Sequence, residues 1–261
     1  MGRRQLRIGG LALAAVAALV AGARAEVVQR GDLRVYIQGG ITPKTLPRLG
    51  RAPVAVSVAG HVVSTSGSVP PQLTSVAVAL NRNGRLDFRG LPVCPRRRIE
   101  AVSSRQALAL CGRALVGTGT FHARVVLPDQ SPFPSDGRVL AFNGRQHGQH
   151  VVFAHIYGPR PLPQSRVLTF HLRQQGGGYR TLLSARLPEV TTDWGYVSRL
   201  SLTLGRRYRY RGRSRSFIAA GCPAPSGFSA ATFPAAKASF GFADGRTLTS
   251  TLIRSCRVRG S

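Results

Sequence analysis

Val151-Val152-Phe153-Ala154-His155-Ile156 decides the fold of this chain. Side chains alternate faces along a strand, so Val151, Phe153 and His155 fall on one side and Val152, Ala154 and Ile156 on the other. Both sides are largely apolar, as in a central strand covered on both faces. The neighbouring segments read as its partners. Arg138 to Phe142 precedes it. Arg166 to Leu172, Tyr179 to Leu187 and Tyr196 to Leu204 follow it, separated in part by Gly158-Pro159 and Gly176-Gly177-Gly178. In the last of these, Leu200, Leu202 and Leu204 point one way and Ser201 and Thr203 the other. Such alternation marks a strand with one buried face.

The pattern continues outward in both directions. Leu33 to Ile37, Val54-Val56-Val58, Val76-Val78-Leu80 and Leu115 to Leu127 read as strands towards the N-terminus. Gly117 and Gly119 suggest a bulge in the last of them. Phe217 to Ala220, Gly227 to Phe233, Ala238 to Phe242 and Thr247 to Ile253 read as strands towards the C-terminus. Asn83-Gly84 and Asp244-Gly245 carry hairpin-turn chemistry. Ser103-Ser104-Arg105-Gln106 has the form of a capping box, and with Ala107 to Leu110 it predicts one helix of about two turns between Cys94 and Cys111. With roughly thirteen short strands and almost no helix, the expected class is all-β, an antiparallel β-sandwich or sandwich-like barrel. Pro128 to Gly137 reads equally as a domain linker or a long hairpin loop. We take residues 26–261 as a single β-rich domain, with any sub-boundary near 128–137.

The first 25 residues have the form of a secretory signal. Arg3, Arg4 and Arg7 precede an uncharged apolar run from Ile8 to Gly22, and Ala23-Arg24-Ala25 is a small-x-small cleavage site. Fifteen apolar residues fall short of the roughly 20 that span a bilayer. Arg3-Arg4-Gln5-Leu6 meets the twin-arginine consensus only in part, so the ordinary secretory route is favoured. A secreted or cell-envelope location follows. No later apolar stretch is long enough for a membrane span.

Lys plus Arg number 37 against 9 Asp plus Glu, and only Lys44 and Lys237 are lysines. This preference for Arg suggests a GC-rich genome. Without the signal the net charge is +24. Such a charge favours anionic surfaces, whether wall polymer, polysaccharide, nucleic acid or lipid. Cys94, Cys111, Cys222 and Cys256 form an even set in an exported chain, so disulfides are expected. Of the three pairings, Cys94–Cys111 and Cys222–Cys256 are favoured because each closes a local segment. The spacings match no zinc motif, and nothing in the sequence calls for a cofactor.

The basic charge is densest in Arg206-Arg207-Tyr208-Arg209-Tyr210-Arg211-Gly212-Arg213-Ser214-Arg215-Ser216. On one continuous strand, Arg207, Arg209, Arg211, Arg213 and Arg215 would form a ladder at intervals of about 6.5–7 Å, suited to a polyanion. Tyr208 and Tyr210 would face away from it. Arg211-Gly212-Arg213-Ser214 is turn-like, however, and suggests a hairpin end or bulge, leaving Arg207, Arg209 and Arg211 as the row. The competing reading is an edge strand whose charges block aggregation.

Other constellations are weaker. His147, His150 and His155 have one His-x2-His spacing, but His150 and His155 face opposite ways on a strand. Asn81, Asn83 and Asp87 loosely resemble a calcium loop with a single carboxylate, and read better as a turn. Glu189 and Asp193, beside Trp194 and Tyr196, are the best acid pair for a secreted carbohydrate-active hydrolase, the alternative to a non-catalytic role. There is no Gly-x-Ser-x-Gly elbow and no His-Glu-x-x-His helix.

Several motifs together carry a resemblance. They are Gly90-Leu91-Pro92-x-Cys94, Cys111-Gly112-Arg113-Ala114-Leu115-Val116-Gly117-x-Gly119, Phe142-Asn143-Gly144, Tyr208-x-Tyr210-Arg211-Gly212, Ala220-Gly221-Cys222-Pro223 and Phe242-Ala243-Asp244-Gly245 before Cys256. The chain resembles a group of uncharacterised exported proteins of high-GC Gram-positive bacteria. The resemblance implies export and a disulfide-bonded β-fold. It implies no activity and no catalytic residue.

Overall fold

The structure is a computed structural model that describes residues 25–126, 131–160, 162–187 and 195–260. Met1 to Arg24 of the expected signal, and Glu189, Asp193 and Trp194, lie outside the described residues. The strands are β1 (Glu26–Arg30), β2 (Leu33–Thr42), β3 (Thr45–Leu46), β4 (Ala52–Pro53), β5 (Ala55–Ser64), β6 (Leu73–Asn81) and β7 (Gly84–Leu86). After α1 (Ser104–Cys111), the single α-helix among the described residues, come β8 (Leu115–Val125), β9 (Phe133–Gln146), β10 (Gln149–Gly158), β11 (Gln164–Gln174), β12 (Tyr179–Arg186) and β13 (Gly195–Leu204). The chain ends with β14 (Arg207–Tyr210), β15 (Arg213–Ser216), β16 (Ile218–Ala220), β17 (Ala230–Phe242) and β18 (Thr247–Val258). The class is all-β and sandwich-like, with one short α-helix among the described residues, between Cys94 and Cys111, as the sequence predicts.

Thirteen strands form one curled sheet in the order β1-β2-β5-β13-β8-β9-β10-β11-β12-β6-β17-β18-β3. Its centre is the antiparallel meander β8 to β12, built around Val151–Ile156. Strands from both sides of the 128–137 region share this sheet, and β9 pairs with β8 from Val125↔Phe133 onward. The inner face is apolar. Leu202, Leu204, Val116, Ala141, Val152, Phe170, Leu172 and Leu183 pack together there. A small sheet, β4-β16-β7, packs against this cluster through Ala52, Ile218, Ala220 and Leu86, with Phe217 beside it.

The two ends of the sheet meet. Leu33, Val35 and Ile37 of β2 pack on Ala238 and Phe242 of β17 and on Leu248 and Leu252 of β18. Glu26 pairs with Arg254, and Asp32 pairs with Arg246 at 2.6 Å. The curl is therefore closed by side chains where no backbone ladder joins β1 to β18.

On the outer face, α1 and the Cys94 loop cover β9 and β10. Ile99, Ala107, Cys94 and Cys111 pack on Leu140, Phe142, Val151 and Phe153. This is why the central strand is apolar on both sides. The capping box is formed, with the Ser103 hydroxyl accepting from the Gln106 amide and the Gln106 side chain accepting from the Ser103 amide. Both favoured disulfides are present, Cys94–Cys111 and Cys222–Cys256.

One turn and one strand differ from expectation. Asn83-Gly84 does not close a hairpin onto β6. Both edges of β6 are already taken by β12 and β17, so the chain leaves the sheet and β7 pairs with β16 instead. The segments expected as Gly227–Phe233 and Ala238–Phe242 are bridged into one strand, β17. It passes Pro234 by a register shift between Pro234 and Ala236, where the missing amide is tolerated.

Candidate polyanion-binding surface

The arginine-rich stretch is a separate two-stranded hairpin, not one strand. β14 and β15 pair as Arg207↔Ser216, Tyr208↔Arg215, Arg209↔Ser214 and Tyr210↔Arg213. Arg211 and Gly212 form the turn with φ of 50° and 72°. A two-residue hairpin turn with both central residues at positive φ is the primed type that matches strand twist, and Gly adopts it without a Cβ clash. The five-arginine ladder is thereby corrected. Opposite residues of an antiparallel pair share a face. Arg207 and Arg209 lie on one face, Arg213 and Arg215 on the other with Tyr208 and Tyr210, and Arg211 sits at the tip. The expected row of Arg207, Arg209 and Arg211 is broken at its last member for the same reason.

The tyrosine face is the mounting. Tyr208 Oη donates to the Arg89 carbonyl at 2.9 Å. The Tyr210 ring lies on Gly90 so closely that a Cβ there would stand 2.1 Å from ring Cδ2, and Gly90 has a φ of +77°. Asp87 lies beneath, held by Arg89 and by Arg215 Nη1 at 3.0 Å. Burial alone would raise the Asp87 carboxyl. Hydrogen bonds from the Arg89 side chain and backbone, its charge, and the bond from Arg215 outweigh burial and hold it at about 2. At the root, Arg206 donates to the carbonyls of Gly112 and Leu115, and the Phe217 amide donates to the Arg206 carbonyl. Phe217 is fully buried and meets Phe88 edge-on at 5.4 Å.

This arrangement sorts the arginines. Arg215 is spent on Asp87 and also lies over Tyr210. Arg207, Arg209, Arg211 and Arg213 are exposed, with Arg211 5.3 Å over the Tyr210 ring. No carboxylate occurs between Arg206 and Ser229. Sequence reasoning missed the anchoring partner, the Asp87–Gly90 loop. Gly90 beside Asp87 in the sequence gave no sign that a ring 120 residues away would need the space.

The other candidates fall apart or lie outside the described residues. His147 occupies the β9–β10 turn at φ 48°, and His150 stacks on Phe88 at 4.5 Å. His155 is fully buried on the opposite face beneath the α1 lobe, where Nε2–H donates to the Val102 carbonyl at 3.0 Å. Burial lowers its pKa. Among the described residues no three His, Cys, Asp or Glu come together as a metal site. Asn81 uses its amide nitrogen on the Pro234 carbonyl and its oxygen on Asn83, while Asp87 faces arginines. All six described carboxylates, Glu26, Asp32, Asp87, Glu100, Asp136 and Asp244, pair with Arg or His. A groove of about 710 Å³ runs over the outer face of β11, β12 and β6, lined in part by Arg96, His171, Arg173 and Arg186. No described helix is long and apolar enough to cross a membrane.

Comparison with protein families, with curated proteins and with solved structures gives no match to this chain.

Proposed function

We propose that this is an exported, non-catalytic protein of the envelope or extracellular space that associates with anionic polymers, such as wall polymer or acidic polysaccharide, through the β14–β15 hairpin. The observation that carries the reading is the hairpin itself. Four exposed guanidinium groups, on Arg207, Arg209, Arg211 and Arg213, are held on a tyrosine base with no carboxylate among them. Exposed guanidinium groups carried on an anchored hairpin can make charge-assisted contacts to phosphate or carboxylate groups. The N-terminal signal pattern and the two disulfides support an oxidising, extracytoplasmic setting. So does the resemblance to exported proteins of high-GC Gram-positive bacteria.

The test is titration with polyphosphate and with heparin across a salt series. Affinity is expected to fall steeply as salt rises, because screening weakens exposed ion contacts. Replacing Arg207, Arg209, Arg211 and Arg213 with Ser should reduce both affinity and its salt dependence. Unchanged affinity in that variant, or binding insensitive to salt, would rule the hairpin out.

A further inference from the structure

Directly after β15 and β16 the chain forms a second feature that the hairpin reading does not use. The loops 47–51 and 223–229 stand side by side. The Cys222 amide donates to the Pro47 carbonyl at 2.9 Å, and Arg48 Nη2 donates to the Phe228 carbonyl at 2.6 Å. Beneath them the Cys222–Cys256 disulfide and the fully buried Leu46 tie both loops to the core. On this braced base sit two large apolar side chains that the core does not take. Leu49 is 89 % exposed and Phe228 is 64 % exposed. Leu49 has the highest exposure of any large apolar side chain among the described residues.

The surroundings are cationic. Arg48 and Arg51 flank Leu49 in sequence, and Arg51 reaches the carbonyls of Arg82 and Asn83. The Arg257 amide donates to the Lys44 carbonyl and the Arg259 amide to the Leu46 carbonyl, which places the end of β18 against the same loops. Segments 44–51, 82–83, 221–229 and 257–260 thus contribute Lys44, Arg48, Arg51, Arg82, Arg257 and Arg259, and no Asp or Glu. Singly exposed apolar residues need no explanation. A pair on adjoining, stapled loops within a wholly cationic rim is a different case.

We infer that this tip docks on an anionic lipid bilayer, with Leu49 and Phe228 entering the acyl boundary and the six cations resting on acidic headgroups. A hydrophilic polymer would leave the two apolar side chains in water, whereas a bilayer removes them from it. The long arginine stems suit an interface, since they can lie along apolar surface while the guanidinium stays with headgroup phosphate. The inference shares with the proposed function only the sign of the ligand's charge, and it uses different residues.

The test uses the chain from Glu26 onward, which holds every described strand. It is co-sedimented with vesicles of phosphatidylcholine alone and of equimolar phosphatidylcholine and phosphatidylglycerol. Binding to the anionic vesicles only is expected. L49S/F228S should weaken it about tenfold or more by removing the apolar contribution, and neutralising any one rim cation should weaken it about fivefold. In a separate variant, L49W should shift its emission to the blue on adding anionic vesicles and not on adding polyphosphate. This second readout stands even if the Ser variant folds poorly. Equal binding to both vesicle types, full binding by L49S/F228S, or no shift in L49W would overturn the inference. So would light scattering that shows a dimer lost in L49S/F228S, since a second copy would then cover the tip. Loss of polyphosphate binding in the hairpin variant, with vesicle binding retained, would separate the two readings.

Discussion

Gly90 accepts the Tyr210 ring in the space where any other residue carries a Cβ, and it does so at positive φ. Gly90→Ala combines a steric clash with a strained backbone, a pairing that costs on the order of 1–3 kcal/mol. Chemical denaturation should show that loss, and the hairpin should become more sensitive to proteolysis. His155 makes a second prediction at this scale. Its folded pKa lies below the ordinary histidine value because burial penalises the charge. The unfolded chain therefore binds the extra proton first, and stability falls as pH drops below about 6.5. His155→Gln keeps a donor for the Val102 carbonyl and cannot titrate. The urea midpoint of the wild type should fall more between about pH 7 and about pH 5 than that of H155Q. Equal slopes would mean that His155 is not a source of the acid sensitivity.

The α1 lobe is an element that local chemistry builds almost alone. Ser103 and Gln106 satisfy each other's amides, and Cys94–Cys111 closes a segment with a separation of 17 residues. Ser103→Ala should cost about 1 kcal/mol, the usual loss for a helix N-cap. Replacing both Cys94 and Cys111 with Ala should cost about 3 kcal/mol for a loop of this length. Because Ile99 and Ala107 cover Phe142 and Phe153, hydrogen exchange in the double variant should rise on β9 and β10 as well as in α1. Exchange confined to the helix would show that the lobe is dispensable to the sheet. The β14–β15 hairpin is the opposite kind of element. Two strands alone are marginal in water, and this pair depends on Tyr208, Tyr210 and Arg215 gripping the Asp87–Gly90 loop.

At the scale of the whole molecule, a sheet of thirteen strands closes on itself through side chains. The Asp32 carboxyl is held down to about 2 by hydrogen bonds from Ser64 and Arg246. Its folded pKa lies below its ordinary value of 3.8. The contribution is therefore complete above 3.8 and is lost as pH falls from there towards 2. Acid unfolding should begin in that window, and Arg246→Met should flatten the pH dependence of the urea midpoint there. An unaltered profile would place the acid-sensitive closure elsewhere. The sequence by itself determined the all-β class, the capped helix between Cys94 and Cys111 and the central strand at Val151–Ile156, and it favoured the pairing of the cysteines that the structure shows. Each rests on local information: side-chain period, capping chemistry, and short loops between cysteines. It also placed Leu200, Leu202 and Leu204 together on the buried face, since alternation is fixed by strand geometry. Only the tertiary structure decided which strands neighbour which, for example that β6 has no free edge to receive β7. The turn-like Arg211-Gly212 already marked the hairpin that divides the arginines of 206–216 between two faces; only the tertiary structure assigned Arg215 to Asp87. It also brought the loop that carries Leu49 beside the loop that carries Phe228. Those outcomes depend on contacts between residues more than a hundred positions apart, and no local periodicity records which distant surface a residue will meet.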